Sequence, residues 1–573
     1  MTSESRTFGR NARWEDWARA MRRGRLSLCV LVMMLAGSLA GQQSAARPSG
    51  APGQKLYRIA GTVTNTLTGE PVAHATVSLV DEEDRDTLQS TETGNDGQFA
   101  LERLPAAKYG LRASKRGYLA TFFDEHDGFS SAIVAGEGQD TEHIPFRIRP
   151  GATMHGVVTD DAGEPVQQAQ VMLMRRSRST GLGEKLVRSI NGNTDDLGGF
   201  EFWDLVPGTY FLAVKATPWY ALHPGAKGPA VDGTGQETAA LDVAYPVTYY
   251  DGTIEEAGAS PITLASGDRV EANVALHAVT AGHLVVHTGE TATPERHFVE
   301  TPMLRQTIFG EEQLGGGPDM TPGPPGSGWV EIGGVAPGHY SVMLGNPPKE
   351  VELDANGAGE QDVDMASASP TATVDLKARM TDGSTPPEAV QFALSPDELS
   401  RGAGDSRTAV QGGTHFRSVM PGIWDISAFS NNLALAVVAV DSPGGAVQGN
   451  RIRVGTQPLR LTVTLAQGVT RVQGFARKEG KGMPGVMIVL APQNPAANQA
   501  LFRRDQSDSD GSFSLPNVAP GKYTVVAIED GWEVDWGRPE VIGRYLPRGT
   551  SVTVTSQSGK TMLLSTPVEV QPR

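Results

Sequence analysis

Cysteine is almost absent from this chain: its 573 residues contain one, Cys29, and aromatic residues make up only 6%. One thiol excludes a framework of internal disulfides. Long apolar runs are scarce too. The one that stands out is the fifteen residues from Leu26 to Ala40, fewer than the roughly 20 that a membrane-spanning helix needs. No three-residue glycine period occurs, which excludes collagen. Positive charge is in deficit, with 49 Lys and Arg against 65 Asp and Glu and a net charge of −16. Such a chain is ill suited to displacing phosphate counterions, so nucleic acid is not an expected partner. What is plentiful is glycine (68) and proline (38). At that density helices are interrupted too often for a bundle or coiled coil. Hydrophobic residues at 39% are nevertheless too many for a wholly disordered chain. The length argues for several ordinary domains.

The N-terminal region carries an export pattern. Met21 to Arg25 is basic, Leu26 to Ala40 is apolar, and Ser38-Leu39-Ala40 has the small-x-small spacing of a signal-peptidase site. The expectation is a signal peptide over residues 1–40, cut after Ala40, with Met21 as the start of translation. An uncleaved anchor is the alternative. Arg22-Arg23 lacks the rest of a twin-arginine motif and no small-residue box precedes Cys29, so the general secretory route is expected without a lipid anchor. Cleavage would remove Cys29, leave no stable membrane span, and deliver the chain to the periplasm or beyond. It would also remove seven arginines against Glu4, Glu15 and Asp16, making the mature chain four charges more negative.

Internal repeats dominate the remainder. Residues 57–118, 154–216 and 472–532 share one order of events. A short strand with glycine leads through a turn ending in proline to an alternating strand. A loop, a Gly-Phe turn, another alternating strand, a proline-containing turn and a tyrosine-bearing strand follow. Weaker copies keep Trp329-Val330-Glu331-Ile332 with Pro337-Gly338-His339-Tyr340, and His415-Phe416-Arg417 with Pro421-Gly422-Ile423-Trp424. The marker aromatics Tyr109, Tyr210, Tyr340, Trp424 and Tyr523 are each separated by about one small domain. In Ala75-Thr76-Val77-Ser78-Leu79 and Ala169-Gln170-Val171-Met172-Leu173, alternation predicts one buried and one wet face. Asp96-Gly97 and Asp510-Gly511 predict tight hairpins at positive φ. The fold class expected is all-β, a series of sandwiches.

The pattern resembles the carboxypeptidase regulatory-like domain. It is carried by Gly61-Thr62-Val63, Gly69-Glu70-Pro71-Val72 and Asp96-Gly97-Gln98-Phe99 in the first copy. The second copy has Gly156-Val157-Val158, Gly163-Glu164-Pro165-Val166 and Pro207-Gly208-Thr209-Tyr210, and the fifth has Pro484-Gly485-Val486, Asp510-Gly511-Ser512-Phe513 and Pro520-Gly521-Lys522-Tyr523. The resemblance implies a transthyretin-like sandwich, grouped with carbohydrate-binding-like folds. The five marker aromatics, spaced about one domain apart, give a tandem array of about five such domains after the signal peptide. The expected boundaries are a linker at 41–55, regulatory-like sandwiches at 56–150 and 151–280, degenerate ones at 281–368 and 369–466, and a final regulatory-like sandwich at 467–573. The turn at Pro105-Ala106-Ala107-Lys108-Tyr109 reads as one residue longer than its counterparts. Gly315 to Gly328 reads as an exposed Gly/Pro loop, and Ser367 to Thr373 as a domain joint.

Chemistry-bearing motifs are few. His287-Thr288-Gly289-Glu290 with His283 has the His-x-x-Glu form used by zinc carboxypeptidases. Residues 283–287 read as a strand, however, which separates the two histidines by about 13 Å. Zinc–nitrogen bonds span only about 2.0–2.1 Å. No Gly-x-Ser-x-Gly elbow is present, and Ser558-Gly559-Lys560-Thr561 lacks the earlier glycine of a phosphate-binding loop because Val554 stands there. Asp508-Ser509-Asp510-Gly511 and Asp195-Asp196-Leu197-Gly198 read as turn chemistry, since calcium needs six to eight oxygens. No enzymatic activity, cofactor or metal is therefore expected. Trp219, Tyr220, Tyr249, Tyr250, Trp532 and Trp536 are the candidate ligand-binding aromatics, although for Tyr249-Tyr250 packing of a terminal strand onto the sandwich is the favoured reading over a ligand platform. The expected function is a non-catalytic exported array for binding or spacing, with carbohydrate or an envelope protein as partner. A carbohydrate-binding protein and an accessory of an envelope enzyme are the alternatives.

Overall fold

The computed structural model describes residues 55–573, except 83–84, 178–180, 183–184, 224–240, 289–300, 315–318, 325–326, 346–348, 369–370, 388–389, 397–409, 431–434, 443–446, 468–469 and 556–560. The expected signal peptide, all of the linker but Lys55, Glu290 of the His-x-x-Glu match and Ser558-Gly559-Lys560 lie outside the described residues. Lys55–Arg573 forms one compact unit. Its secondary structure is almost wholly strand, and the α-helix among the described residues is the single turn Pro539–Ile542.

Five hydrophobic clusters follow one another along the chain. They run from Ile59 to Ile148, Ala152 to Leu276, Leu284 to Met365, Ala372 to Leu465 and Val472 to Val568. Each fills the space between two sheets, and we call the five sandwiches modules 1 to 5. All five share one pairing rule. The first strand lies between an antiparallel partner and a parallel one contributed by the module's end. In module 1, Tyr57–Asn65 pairs with Gln98–Leu104 and Ile144–Ile148. In module 2, Ala152–Thr159 pairs with Gly199–Leu205 and Arg269–Glu271. Modules 3 and 4, where the sequence signal is weak, repeat it with Gly282–His287 between Trp329–Val335 and Gly359–Asp364, and Ala372–Met380 between His415–Val419 and Leu459–Gln467. Module 5 adds one feature. Its last strand, Val568–Gln571, pairs with both Thr470–Lys478 and Gly521–Ile528, joining its two sheets.

The recurring residues have local causes. The first-strand glycine is needed because the parallel partner comes close: a Cβ on Gly61 would lie 2.1 Å from the Ile144 carbonyl oxygen, and one on Gly156 would lie 2.2 Å from that of Ala272. A buried hydroxyl then ties the proline turn to the next strand. Thr93 Oγ1 donates to the Val72 carbonyl and accepts from Ala75 N (2.7 and 2.9 Å). Thr194 bridges Val166 and Ala169 in the same way, and Ser507 bridges Met483 and Val486. Four of the five marker aromatics cap the corner before their own strand. Tyr109, Tyr210 and Tyr523 donate to the carbonyls of Pro105, Val206 and Ala519 at 3.0, 2.5 and 2.9 Å. Trp424 Nε1 donates to Met420 O at 3.0 Å, so module 4 keeps the bond with a different ring.

Three sequence expectations are corrected. The Asp-Gly turns have positive φ, 72° at Gly97 and 84° at Gly511, but they are not hairpins. The flanking strands, such as Thr87–Glu92 and Gln98–Leu104, belong to opposite sheets, so the turn crosses the sandwich. The Pro105 turn is not longer than its counterparts. Leu104 and Tyr109 are spaced like Leu205 and Tyr210, Ala107 takes the place of Gly208, and the tyrosine bond is kept. Within Gly315 to Gly328, Met320–Pro322 is an added edge strand on Trp329–Val335, so the insertion is not all loop.

Candidate functional site

The structure disperses the six aromatics proposed from sequence. Trp219 is 92% exposed and stands edge-on to Tyr220, 5.8 Å between ring centres. Tyr249 is buried against Phe309 of module 3 at 5.0 Å, and Tyr250 packs on the core of module 2. Both therefore serve packing. Trp532 stacks on His126 of module 1 at 5.1 Å and 8°. Trp536 lies beneath the Arg504 guanidinium (4.6 Å) and against Phe502. Arg504 also covers Phe129 of module 1. No flat exposed row is formed by these six, and two of them sit at the boundary of modules 1 and 5.

That boundary is the most polar junction among the described residues, and it joins the first module to the last. The Asp508 carboxylate accepts the Ala132 N–H at 2.9 Å and pairs with Lys108 Nζ at 2.5 Å. Ser131 Oγ donates to Ser507 O (2.8 Å), Ser509 N to Ala132 O (3.0 Å), and Val134 N to Ser509 Oγ (2.9 Å). Gln506 Nε2 donates to Ser131 Oγ at 2.9 Å and to Asp124 O. Asp508 occupies the turn position held by Gly94 in module 1 and Asp195 in module 2. Asp195 serves its own turn, accepting from Leu197 N and Gly199 N. Burial pushes the Asp508 carboxyl up, against the pull of Lys108. Burial pulls the Lys108 ammonium down, but Asp508, with help from Glu82 and Asp510, reverses it and the net direction is up. Module 5 also touches module 2, through Gly537 N to Gly181 O (2.8 Å) and Arg538 Nε to Leu182 O (3.0 Å).

A second charged junction lies between modules 2 and 3. His223 and Asp242 stand on the excursion that follows strand Gly208–Lys215, whereas His283 and Glu331 stand on neighbouring strands of module 3. His223 Nδ1 meets Asp242 Oδ1 at 3.0 Å, Asp242 Oδ2 meets His283 Nε2 at 2.8 Å, and His283 Nδ1 meets Glu331 Oε1 at 2.8 Å. Both ring nitrogens of His283 face carboxylate oxygens, an arrangement that favours the protonated ring, in which both nitrogens donate. Burial pulls its pKa down, Asp242 and Glu331 more than offset that, and the net direction is up. Gly334, at φ 74°, leaves room for the cluster: a Cβ there would lie 2.6 Å from the His223 ring. His287 is engaged elsewhere, with Asp362 at 2.7 Å. The two histidines of the His-x-x-Glu reading thus serve separate carboxylates, and no group of three His, Cys, Asp or Glu among the described residues is arranged to hold a metal ion.

The class these features define is a chain of tandem β-sandwich modules. Residues 58–142, within module 1, match the family model of the carboxypeptidase regulatory-like domain. Residues 469–542, expected to carry the same family, match instead the second beta sandwich domain of the NOMO1-like BOS complex subunit. No curated protein matches the chain. Among solved structures it is similar to the Bacillus anthracis TIE protein, at 8% identity over 91% of this chain and 75% of that one, with a TM-score of 0.17. It is also similar to shaft pilin spaA from Lactobacillus rhamnosus GG (10% identity, 39% and 98% covered, TM-score 0.18) and to a Streptococcal ancillary pilin (11%, 54% and 99%, 0.19).

Sequence reasoning missed the partners across module boundaries. Asp508 was legible as a turn residue, while Lys108 lies 400 positions away. Glu331 was legible as part of a strand, with nothing local to tie it to His283.

Proposed function

We propose that the chain is a non-catalytic exported β-sandwich array that works as a binding body. The observation that supports this best is the docking of module 5 on module 1 through Asp508, Lys108 and Ala132. A spacer needs its ends apart, whereas here the first and last modules touch. The buried charged groups near Asp508 and His283 serve as stitching between modules, which gives them a structural use. Export rests on the order of charge and hydropathy in residues 21–40.

Purified mature chain should release no C-terminal residue from peptide substrates, with or without added zinc. Chelator-sensitive turnover that disappears on His283→Ala or His287→Ala would overturn the non-catalytic reading. Mass spectrometry of envelope fractions should find the chain beginning after Ala40; an intact Met21 to Ala40 segment there would overturn cleavage.

A further inference from the structure

Module 2 carries a cleft of about 300 Å³ beside the marker residue Tyr210. It is lined by Val187, Ile190, Leu205 and Tyr210 and by the charged Arg175 and Asp204. Trp203 also lines it and is 65% exposed. The volume is at the lower end of the roughly 300–1,000 Å³ typical of small-molecule sites.

The sibling modules supply an internal control. Asp204 is held at φ 55°, and its counterparts Arg103 and Asn517 have the same left-handed backbone, at 63° and 56°. This is a bulge common to the fold, with the register shift of module 2 falling between Phe202 and Leu205. Bulges re-aim the side chains around them. Aligned on it, Trp203 corresponds to Glu102 in module 1 and Pro516 in module 5. Arg175, opposite Tyr210, corresponds to Asp81 opposite Tyr109 and Pro492 opposite Tyr523. The fold therefore needs neither an indole nor a guanidinium at these places. Module 2 alone of the three strong copies combines an exposed tryptophan, a cation and an anion there.

We propose that this cleft is a saccharide-binding site, in which a sugar ring packs on Trp203 while its hydroxyls bridge Arg175 and Asp204. The inference deepens the binding reading above and rests on it. The chemistry selects a neutral polyol. An anionic ligand would face Asp204 and the negative charge of the whole chain, and a cationic one would face Arg175. An apolar peptide side chain would strip water from both groups and return no hydrogen bond. A pyranose has an apolar C–H face for the indole and hydroxyls that both donate and accept, which suits one guanidinium and one carboxylate together.

The test is calorimetric titration of the full mature chain with maltotetraose, cellotetraose, xylotetraose and chitotetraose at up to millimolar concentration. At least one should bind, and Trp203→Ala should weaken it by about tenfold or more. Trp203→Tyr should recover part of the loss. Arg175→Gln and Asp204→Asn should each weaken binding by about threefold or more, and Trp219→Ala should leave it unchanged. Because Trp203 is exposed, its alanine variant should keep the wild-type melting profile. Failure of all four sugars to bind, or binding that survives Trp203→Ala, overturns the cleft and leaves the non-catalytic reading standing. Shortening of a bound oligosaccharide would instead overturn the non-catalytic reading while supporting the cleft.

Discussion

Asp508 in module 5 accepts the main-chain N–H of Ala132 in module 1, 2.9 Å away and 376 positions earlier in the chain. The equivalent aspartate in module 2, Asp195, spends its carboxylate on its own turn. One turn position thus has two uses: closing a corner inside a module, and fastening one module to another. The second use is what makes the array a joined body. It also changes how unfolding is expected to proceed. Separate cores would melt one by one, but a buried junction makes the stability of module 1 depend on module 5.

Removing that carboxylate is the direct check. Asp508 is nearly inaccessible and Lys108 mostly so, and deleting one partner of a buried pair costs about 3 kcal/mol or more. Asp508→Ala should expose the Ala132 and Val134 amides to hydrogen exchange and separate the melting of modules 1 and 5. Asp508→Asn, which still offers an acceptor to Ala132, should cost less. Unchanged protection at Ala132 in the alanine variant would remove the junction from the account.

The junction of modules 2 and 3 should depend on pH. His283 has a folded pKa above its ordinary value of 6.5, so its protonated form is the one that folding favours. Its stabilising contribution is complete below pH 6.5 and is lost as pH rises through the folded value. The melting of these modules should therefore move down as pH rises above about 6.5, and His283→Gln should flatten that slope. A wild-type slope that the variant leaves untouched would assign the titration to another group.

Much of the architecture was legible because its causes are local. Alternation at the start of Thr76–Asp81, the first-strand glycines and the tyrosines at 109, 210 and 523 each act within one module. The wet face expected around Gln170 is buried instead, because Met172 and Met174 pack with Ile308 and Phe309 of module 3. Trp424 was legible as a marker because an indole can make the same bond as a phenol. Contacts between modules were not legible, since nothing near Tyr249 says that Phe309 covers it, and nothing near Trp532 points to His126. Trp203 was passed over for a related reason. It occupies an outward position of an ordinary strand, and its significance appears only when the same position in the sibling modules is seen to hold Glu102 and Pro516.

A third expectation concerns a carboxyl that folding holds in an unfavourable state. Asp505 accepts from Ser514 N at 2.6 Å. Burial, partly offset by that bond and reinforced by the nearby Asp508, pushes its pKa up to about 7, from 3.8. Between those values the folded chain holds the proton more tightly than the unfolded chain, so on this group stability falls as pH rises. Asp505→Asn keeps an acceptor for Ser514 and never ionises. Its melting temperature should exceed that of the wild type at about pH 8 and match it at about pH 4. Equal stability of the two proteins across that range would show that Asp505 ionises freely in the fold.

The last expectation tests whether module 4, whose sequence signal is weak, is built like its siblings. Trp424 is almost wholly buried, and its Nε1 reaches the carbonyl four residues back, as the tyrosine hydroxyls do in modules 1, 2 and 5. If the corner bond is the recurring element, the ring that carries the donor is secondary. Trp424→Phe loses both the donor and some volume, leaving the Met420 carbonyl without that partner. Trp424→Tyr loses volume as well but can restore the bond in the geometry its siblings use. The tyrosine variant should therefore be the more stable of the two by about 1 kcal/mol, and Trp424→Ala should cost about 3–5 kcal/mol through the cavity it opens. Denaturant unfolding of the module 4 transition reads all three. Equal stability of the Phe and Tyr variants would mean that Trp424 is held by packing alone, and that the corner of module 4 has its own construction.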